Sequence, residues 1–225
     1  MNPIKPTVLF FDVIETMLDL APMQASIGQV LPGADSARRW FSAMLHYAVV
    51  MTINNQFAPL PEVGKAVLRM LAEGRGILLE DQDAAEALAP LATLPAHPDV
   101  RPALERLRGE GYKLAALSNG ATSAIAGQLA HAGLADLFEA QFGVEQVGKF
   151  KPAPEVYRWA AEQMGAPPGD CMMVAAHGWD VAGAAWSGMQ TAFIKRGEQV
   201  PFPLAPRPVY VASSFEPLAQ RLSAL

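Results

Sequence analysis

Short apolar segments alternate with amphipathic stretches along most of the chain. Continuous apolar runs of this length are typical of strands that are buried on both faces of a parallel sheet. The predicted strands are Thr7 to Phe11, Lys113 to Leu117, Cys171 to Ala176, Gln190 to Ile194 and Val209 to Val211. The predicted helices are Val100 to Glu110, Ser123 to Ala132, Pro154 to Met164 and Val181 to Ser187. This alternation indicates repeated βαβ units, and therefore an α/β fold with a doubly wound parallel sheet.

One long interval after the first strand breaks this alternation. From Met17 to about Pro95 the chain has helical periodicity without a strand signal. We therefore expect a Rossmann-like core formed by residues 1–16 and 96–225, with residues 17–95 inserted as a helical cap. Several predicted core helices are followed by a glycine, a residue that often ends a helix. These glycines are Gly111, Gly133, Gly165 and Gly188.

Composition and charge exclude several classes of function. The chain has 225 residues, with 17 basic and 22 acidic side chains and a formal net charge of −5. This balance argues against nucleic acid and against a membrane surface as partners. The single cysteine, Cys171, cannot form an intrachain disulfide, and the four histidines lack the spacing of a zinc site. Without a signal peptide or a membrane-spanning run, the sequence predicts a cytoplasmic protein.

Polar side chains follow several predicted strands at the points where those strands end. Asp12 comes directly after the first strand, Ser118 and Asn119 end the second, and Asp180 follows the run that begins at Cys171. Lys151 lies in a short loop before a helix. Ligands of open parallel sheets bind outside the carboxyl ends of the strands. We therefore expect these side chains to form one site.

Four segments carry a resemblance to a known family. In chain order they are FFDVIETMLDL, ALSNG, KFKPAPEVY and VAAHGWDVAGA. They resemble the four motifs of the haloacid dehalogenase superfamily, and the resemblance extends from Thr7 to Phe193. Within the superfamily, the chain is most similar to the L-2-haloacid dehalogenases. The resemblance implies a small carboxylic acid as substrate, no cofactor, no metal, and a homodimer.

The resemblance also implies roles for the three charged residues of these motifs. Asp12 would be the nucleophile that forms a covalent ester, although an aspartate after a strand is otherwise often a turn residue. Lys151 would neutralise Asp12 and the developing ester charge, the alternative being a surface lysine. Asp180 would pair with Lys151 and activate the hydrolytic water, and it could also cap a helix.

Further residues of these motifs have both an expected role and a structural alternative. Thr16 would orient the nucleophile or serve only a local turn. Ser118 and Asn119 would hold Asp12 or the substrate carboxylate, or would simply cap the next helix. Tyr157 matches an active-site tyrosine of the family, although a core position is nearly as compatible with its pattern. Trp179 is a candidate substrate contact that could also be a packing residue.

Two positions separate this sequence from the phosphatases of the superfamily. Those phosphatases usually have a second aspartate two residues after the nucleophile, where this chain has Ile14. They also usually have a magnesium-binding acid at the position of Ala176. Neither residue can donate a proton or bind a metal ion, so the sequence argues against phosphoryl transfer.

Other positions depart from the dehalogenase pattern itself. Glu15 replaces a usual glycine, and His177 replaces a usual asparagine and could position water or bind substrate. Phe41 aligns with an arginine that cradles the departing halide in the family, unless Arg38 or Arg39 reaches the site through a register shift. Glu15 lies close enough to the nucleophile to matter, and Ile14 and Phe41 are expected to face the substrate.

These observations predict a hydrolase in which an aspartate displaces the C2 substituent of a small carboxylic acid. Water then cleaves the ester to a 2-hydroxy acid. The leading version is a 2-haloacid dehalogenase. The alternative is a hydrolase that opens the ring of azetidine-2-carboxylate by the same mechanism, because a pocket with Glu15 and no arginine suits an ammonium group. A phosphatase and a non-catalytic binding module are less compatible with these residues.

Overall fold

A computed structural model describes residues 5–225 of the protein, and six strands within this range form one sheet. The strands are β1 (Val8–Phe11), β2 (Lys113–Ser118), β3 (Ala140–Gly143), β4 (Cys171–Ala175), β5 (Gln190–Ile194) and β6 (Tyr210–Ala212). All neighbouring strands are parallel, in the order β3-β2-β1-β4-β5-β6. The strand order reverses direction at β1 and β4, so a crevice forms at their carboxyl ends.

Nine α-helices and four short 3₁₀ segments complete the regular structure of the described residues. The α-helices are α1 (Ala21–Val30), α2 (Ser36–Ile53), α3 (Leu60–Glu73), α4 (Asp81–Leu88), α5 (Val100–Gly109), α6 (Thr122–His131), α7 (Pro154–Gln163), α8 (Gly178–Trp186) and α9 (Phe215–Ser223). The 3₁₀ segments are Ala89–Thr93, Ala135–Leu137, Val144–Gln146 and Pro168–Asp170. No helix within residues 5–225 is both long and apolar enough to cross a membrane.

The apolar strands are covered by side chains on both faces of the sheet. Successive residues of β1 point to opposite faces, as strand geometry requires. The ring of Phe10 packs near Phe142 at a centroid distance of 6.2 Å, whereas Phe11 stacks on Phe215 of α9 at 5.9 Å. The predicted α/β fold with a doubly wound parallel sheet is therefore confirmed.

Residues 17–95 contain helices and no strand, as the sequence predicts. Helix α2 buries Ser36, Trp40, Met44 and Ala48, one residue per turn, and so presents a continuous inner face. The indole Nε1 of Trp40 donates a hydrogen bond of 2.8 Å to the carbonyl oxygen of Gly64, which joins α2 to α3. The division into a core and a cap remains a prediction, and residues 1–4 of the predicted core lie outside the described residues.

Two core elements have no clear signal in the sequence, and some boundaries differ from those predicted. Strand β3 is half-buried and contains the residues AQFG, so it has no apolar run to reveal it. Helix α9 lies near the C-terminus and was not predicted. Helix α8 begins at Gly178 rather than Val181, because the turn that carries Asp180 is already helical. The other predicted strands and helices are present, with ends that differ by one or two residues.

Candidate active site

Asp12 lies directly after β1 at the carboxyl end of the sheet and is 5% exposed. Its Oδ2 accepts a hydrogen bond of 2.6 Å from the hydroxyl of Thr16. The same hydroxyl oxygen accepts a bond of 2.9 Å from the backbone N–H of Ala176, which follows β4. Thr16 therefore ties the loops after the two central strands together and fixes the Asp12 carboxylate, in agreement with the orienting contact expected of it.

Lys151 is almost fully buried and uses all three of its N–H donors. Its Nζ lies 2.9 Å from Oδ1 of Asp12, 2.6 Å from Oδ2 of Asp180 and 2.9 Å from the carbonyl oxygen of Leu117. A surface role for this lysine is therefore wrong. The ammonium group is a fixed positive charge between two carboxylates.

Asp180 lies in the first turn of α8 and is fully buried. Its Oδ2 holds Lys151, and its Oδ1 accepts a bond of 2.6 Å from the hydroxyl of Tyr157. Tyr157 is itself fully buried, so this residue is both a core tyrosine and a direct partner of Asp180. The expected pairing of Asp180 with Lys151 is present. Its side chain caps no helix, because His177 is the capping residue of α8 and no side-chain cap bond is formed there.

His177 connects the nucleophile to a second carboxylate. Its Nδ1 lies 3.0 Å from Oδ2 of Asp12, and its Nε2 lies 2.8 Å from Oε2 of Glu15. A neutral imidazole has only one N–H, whereas here both ring nitrogens face carboxylate oxygens. Both hydrogen bonds form together only when the ring is protonated, so the geometry favours an imidazolium.

The backbone of Glu15 adopts a left-handed conformation with φ of 65°. Glycine adopts this conformation easily, whereas residues with a Cβ rarely do. The carbonyl oxygen of Glu15 lies 3.2 Å from Nε2 of His97, and Nε of Arg196 donates a bond of 3.2 Å to the carbonyl oxygen of Thr16. His97 and Arg196 were not predicted to lie here, because no local sequence pattern indicates that such distant residues support this turn.

Two aromatic rings enclose His177. The ring of Trp179 stacks on the imidazole with a centroid distance of 5.3 Å, and the ring of Phe41 lies 5.8 Å from it. All three residues, together with Lys151, line a cavity of about 430 Å³. Phe41 and Trp179 therefore lie beside His177 and Lys151, and their expected contact with substrate remains a prediction. Arg38 also lines this cavity, but its guanidinium is exposed and pairs with Glu198 at 3.6 Å.

Two of the three roles expected of Ser118 and Asn119 are absent, whereas contact with the substrate carboxylate remains a prediction. Within the part of the chain that the structure describes, neither side chain hydrogen-bonds Asp12, and neither caps α6. The Ser118 hydroxyl accepts a weak bond of 3.4 Å from the N–H of Gly120, while Oδ1 of Asn119 accepts one of 2.7 Å from the backbone N–H of Lys151. Asn119 thus positions the loop that carries Lys151. Glu145 takes the capping role, since its Oε1 accepts a bond of 2.7 Å from the first N–H of α6.

Ile14 and Phe41 line different cavities. Ile14 lines a largely apolar cavity of about 460 Å³ with residues of α3, α4 and α6. Ile14 and Ala176 supply no oxygen or nitrogen ligand from their side chains. Among residues 5–225, no group of three or more histidine, cysteine, aspartate or glutamate side chains is arranged to bind a metal ion.

Mutual charge stabilisation dominates the protonation states of the site. Burial opposes ionisation of Asp12, but Lys151, His177 and Thr16 outweigh it and hold the pKa of this carboxyl below its ordinary value. Burial also opposes the charged imidazolium, yet its bonds to Asp12 and Glu15 raise the pKa of His177 to about 9. Burial raises the pKa of Asp180 despite the nearby ammonium group of Lys151. Asp12 is therefore ionised in the folded protein.

A family model and individual relatives both relate this chain to haloacid dehalogenases. The family model of haloacid dehalogenase-like hydrolases matches residues 7–188. The (S)-2-haloacid dehalogenase of Pseudomonas sp. strain YL is 28% identical over 83% of this chain and 81% of its own length. The haloacetate dehalogenase H-2 of Moraxella sp. strain B is 27% identical over 85% of this chain and 87% of its own.

A solved structure shares the whole fold. The L-2-haloacid dehalogenase of Xanthobacter autotrophicus, determined with chloropropionic acid covalently bound, superposes with a TM-score of 0.90 and 22% identity. The superposition covers 98% of this chain and 99% of that protein. Because the family model matches most of the chain, including Asp12, Lys151 and Asp180, this chain belongs to the haloacid dehalogenase-like hydrolases.

Proposed function

We propose that this protein hydrolyses small 2-haloacids through a covalent ester on Asp12. One observation carries the proposal: a buried, ionised carboxylate has both oxygens fixed by Lys151, Thr16 and His177 beside a cavity of about 430 Å³. Such a carboxylate is held ready to attack carbon, and its fixed position removes much of the entropic cost of reaching the transition state. The relatives named as haloacid dehalogenases support the choice of substrate.

The first step is displacement at C2. One oxygen of Asp12 attacks C2 of the substrate, the carbon–halogen bond breaks, and the halide leaves with its electron pair. Asp12 is then an ester, and the nearby Lys151 ammonium retains Asp180 as its counter-ion. Water next attacks the ester carbonyl carbon and releases the 2-hydroxy acid. This chemistry requires no metal ion, which fits Ile14 and Ala176 at the two phosphatase positions.

Isotope labelling tests the covalent step. Repeated turnover of (S)-2-chloropropionate in water enriched in oxygen-18 should place label in the Asp12 carboxylate, read by mass spectrometry of the peptide that contains it. Asp12→Asn should release no halide and take up no label. Asp83→Asn, at an exposed aspartate of α4, is the matched control and should behave like the unmodified protein. Label in the product alone, after many turnovers of limiting enzyme, would contradict the proposal.

A second substrate has one specific observation in its favour. Three carboxylates, Asp12, Glu15 and Asp180, surround the cations Lys151 and His177, and among residues 5–225 no guanidinium joins these ion pairs. This excess of negative charge favours a leaving group that carries positive charge, such as the ring nitrogen of azetidine-2-carboxylate. Comparing kcat/KM for that compound and for (S)-2-chloropropionate, under identical conditions, distinguishes the two substrates.

We also propose that residues 17–95 act as a cap over the site and that the protein is a cytoplasmic homodimer. The cap proposal is supported by Phe41 of α2, whose ring contacts His177 of the predicted core. The dimer follows from the family resemblance. Light scattering of the purified chain should give twice the 24.0 kDa mass of one subunit.

A further inference from the structure

We propose that Thr52, in the last turn of α2, is a positioning residue for Lys151. Its hydroxyl oxygen accepts a hydrogen bond of 3.0 Å from the backbone N–H of Phe150, the residue directly before the lysine. The inference rests on the proposed function, because it concerns the step in which Asp12 attacks the substrate. It gives helix α2 of the proposed cap a part in placing the ammonium group that holds this nucleophile.

Two consecutive N–H groups of the lysine loop, residues 147–153, are held by side chains from distant parts of the chain. Thr52 of α2 accepts the bond from Phe150, and Oδ1 of Asn119, which follows β2, accepts one of 2.7 Å from the N–H of Lys151. The backbone at Lys151 therefore has one anchor from the predicted core and one from the proposed cap. With the Asn119 anchor alone, the residue before the lysine would be free to shift.

A second contact from the same end of α2 falls on Phe150. Its ring is fully buried and stacks on the ring of Phe57, with a centroid distance of 5.0 Å and an interplanar angle of 26°. The segment that includes Thr52 and Phe57 therefore contacts Phe150 through both its backbone and its side chain. The position of Phe150 depends on the position of this end of the helix.

The local sequence explains why two side chains meet at Phe150. Helix α2 ends at Ile53, and Asn55 then adopts a left-handed conformation with φ of 52°. Asparagine tolerates this conformation better than most residues with a Cβ, and such a residue commonly ends a helix by turning the chain. The turn brings Phe57 to the residue that Thr52 already contacts.

Helix α2 also forms one wall of the cavity of about 430 Å³ beside Lys151. Phe41 and Leu45 of this helix line the cavity together with Lys151 and His177. At 1.5 Å per residue, about 16 Å of continuous helix separates Phe41 from Thr52. A single hydrogen-bonded element thus joins the wall that we expect to face substrate to the anchor of the lysine loop.

The position of Lys151 affects the attack by Asp12. Its Nζ lies 2.9 Å from Oδ1 of Asp12 and 2.6 Å from Oδ2 of Asp180. Without the Thr52 hydroxyl, the N–H of the fully buried Phe150 would lose its partner, and the loop would shift to reduce that cost. A displacement of about 1 Å at a reacting group can slow a reaction by up to a hundredfold. Ester formation on Asp12 should therefore slow.

A threonine near the end of a helix often has only a local role, in which its hydroxyl donates to a carbonyl of the preceding turn. The Thr52 hydroxyl instead accepts a bond from a residue 98 positions away, and no other hydrogen bond of this hydroxyl is present among residues 5–225. Thr52 is therefore placed to act on the lysine loop. A role in stability alone would not change the rate of attack at saturating substrate.

Thr52→Val removes the acceptor and keeps the shape of the side chain, whereas Thr52→Ser keeps the acceptor. On rapid mixing with saturating (S)-2-chloropropionate, Thr52→Val should release its first equivalent of chloride about tenfold more slowly, as expected for the loss of one buried hydrogen bond. Thr52→Ser should restore this rate to within about twofold. Thr93→Val, at an exposed threonine of the 3₁₀ segment Ala89–Thr93, is the matched control and should release chloride at the unmodified rate.

The substrate concentration that gives half the maximal rate separates positioning from a displaced cap. If Thr52 positions Lys151, this concentration should change by less than about twofold in Thr52→Val, because the cavity wall at Phe41 and Leu45 is intact. A displaced cap would raise this concentration and leave the rate at saturation unchanged. That result, or an unchanged first turnover in Thr52→Val, would overturn the inference.

Hydrogen exchange of the unmodified protein tests the anchor without any variant. The amide of Phe150 should exchange as slowly as the amides in the last turn of α2, read by mass spectrometry with electron-transfer fragmentation. Exchange as fast as that of an exposed loop amide would show that the anchor is absent and would refute the inference. An unmodified protein that releases no chloride from any 2-haloacid would instead refute the proposed function, and slow exchange at Phe150 would still establish the contact with Thr52.

Discussion

Because His177 is protonated in the folded protein, we expect the free energy of unfolding to fall as the pH rises above neutrality. Burial opposes its charge, but the bonds to Asp12 and Glu15 raise the pKa of this histidine from 6.5 to about 9 in the folded state. A group whose pKa is higher in the folded state contributes its full stabilisation at pH values below its pKa in the unfolded chain. This contribution is lost as the pH rises through the pKa of the folded state. The relevant window is therefore pH 6.5 to 9.

The size of the effect follows from the same shift. Between these pH values the folded protein binds one more proton than the unfolded chain, so the free energy of unfolding falls by about 1.4 kcal/mol per pH unit. Over the whole window the loss is about 3 kcal/mol. His177 is only 3% exposed, so solvent does not screen these contacts as it screens surface ion pairs.

Urea unfolding at a series of pH values measures this loss. The unmodified protein should lose about 3 kcal/mol more than His177→Asn between pH 6.5 and pH 9. The buried thiol of Cys171 also titrates, but burial and Asp170 raise its pKa to about 11, so its effect falls above this window. The titration of Cys171 is also the same in the unmodified protein and in His177→Asn. Equal pH dependence in the two proteins would show that His177 is not an imidazolium in the fold.

Three further predictions concern packing, metal ions and the leaving group. Gly183→Ala should destabilise the protein by about 1–3 kcal/mol in urea unfolding, because a Cβ there would lie 2.5 Å from Cβ of Pro152 and 2.9 Å from the Tyr157 hydroxyl. A strong chelator should leave turnover unchanged. A loss of turnover that added magnesium restores would contradict the metal-free step. Phe41→Arg should speed chloride release and slow azetidine-2-carboxylate opening, each by about tenfold, since the new cation favours a departing anion. Equal effects on the two substrates would show that residue 41 does not face the leaving group.

The pattern of the sequence determined the architecture and the central reactive groups. Apolar runs such as Thr7 to Phe11 are recognisable as strands because a strand of a parallel sheet is buried on both faces, so each of its side chains is apolar. Because parallel strands end at the same edge of a sheet, the groups that follow them converge: Asp12, Lys151 and Asp180 meet within hydrogen-bond distance. Strand β3 escaped prediction because an edge strand is half-exposed and needs no apolar run.

Only the tertiary structure decided the partners of individual side chains. Ser118 and Asn119 were expected to hold Asp12 or the substrate carboxylate; the contact with Asp12 is absent, because the loop after β2 directs Asn119 to the backbone of Lys151, and the contact with substrate remains a prediction. Glu15 and His177 are 162 positions apart, and no local pattern indicates that their side chains meet. Their contact depends on the left-handed turn at Glu15 and on the pairing of β1 with β4. Such distances and angles arise from packing across the sheet, which residue order alone does not specify.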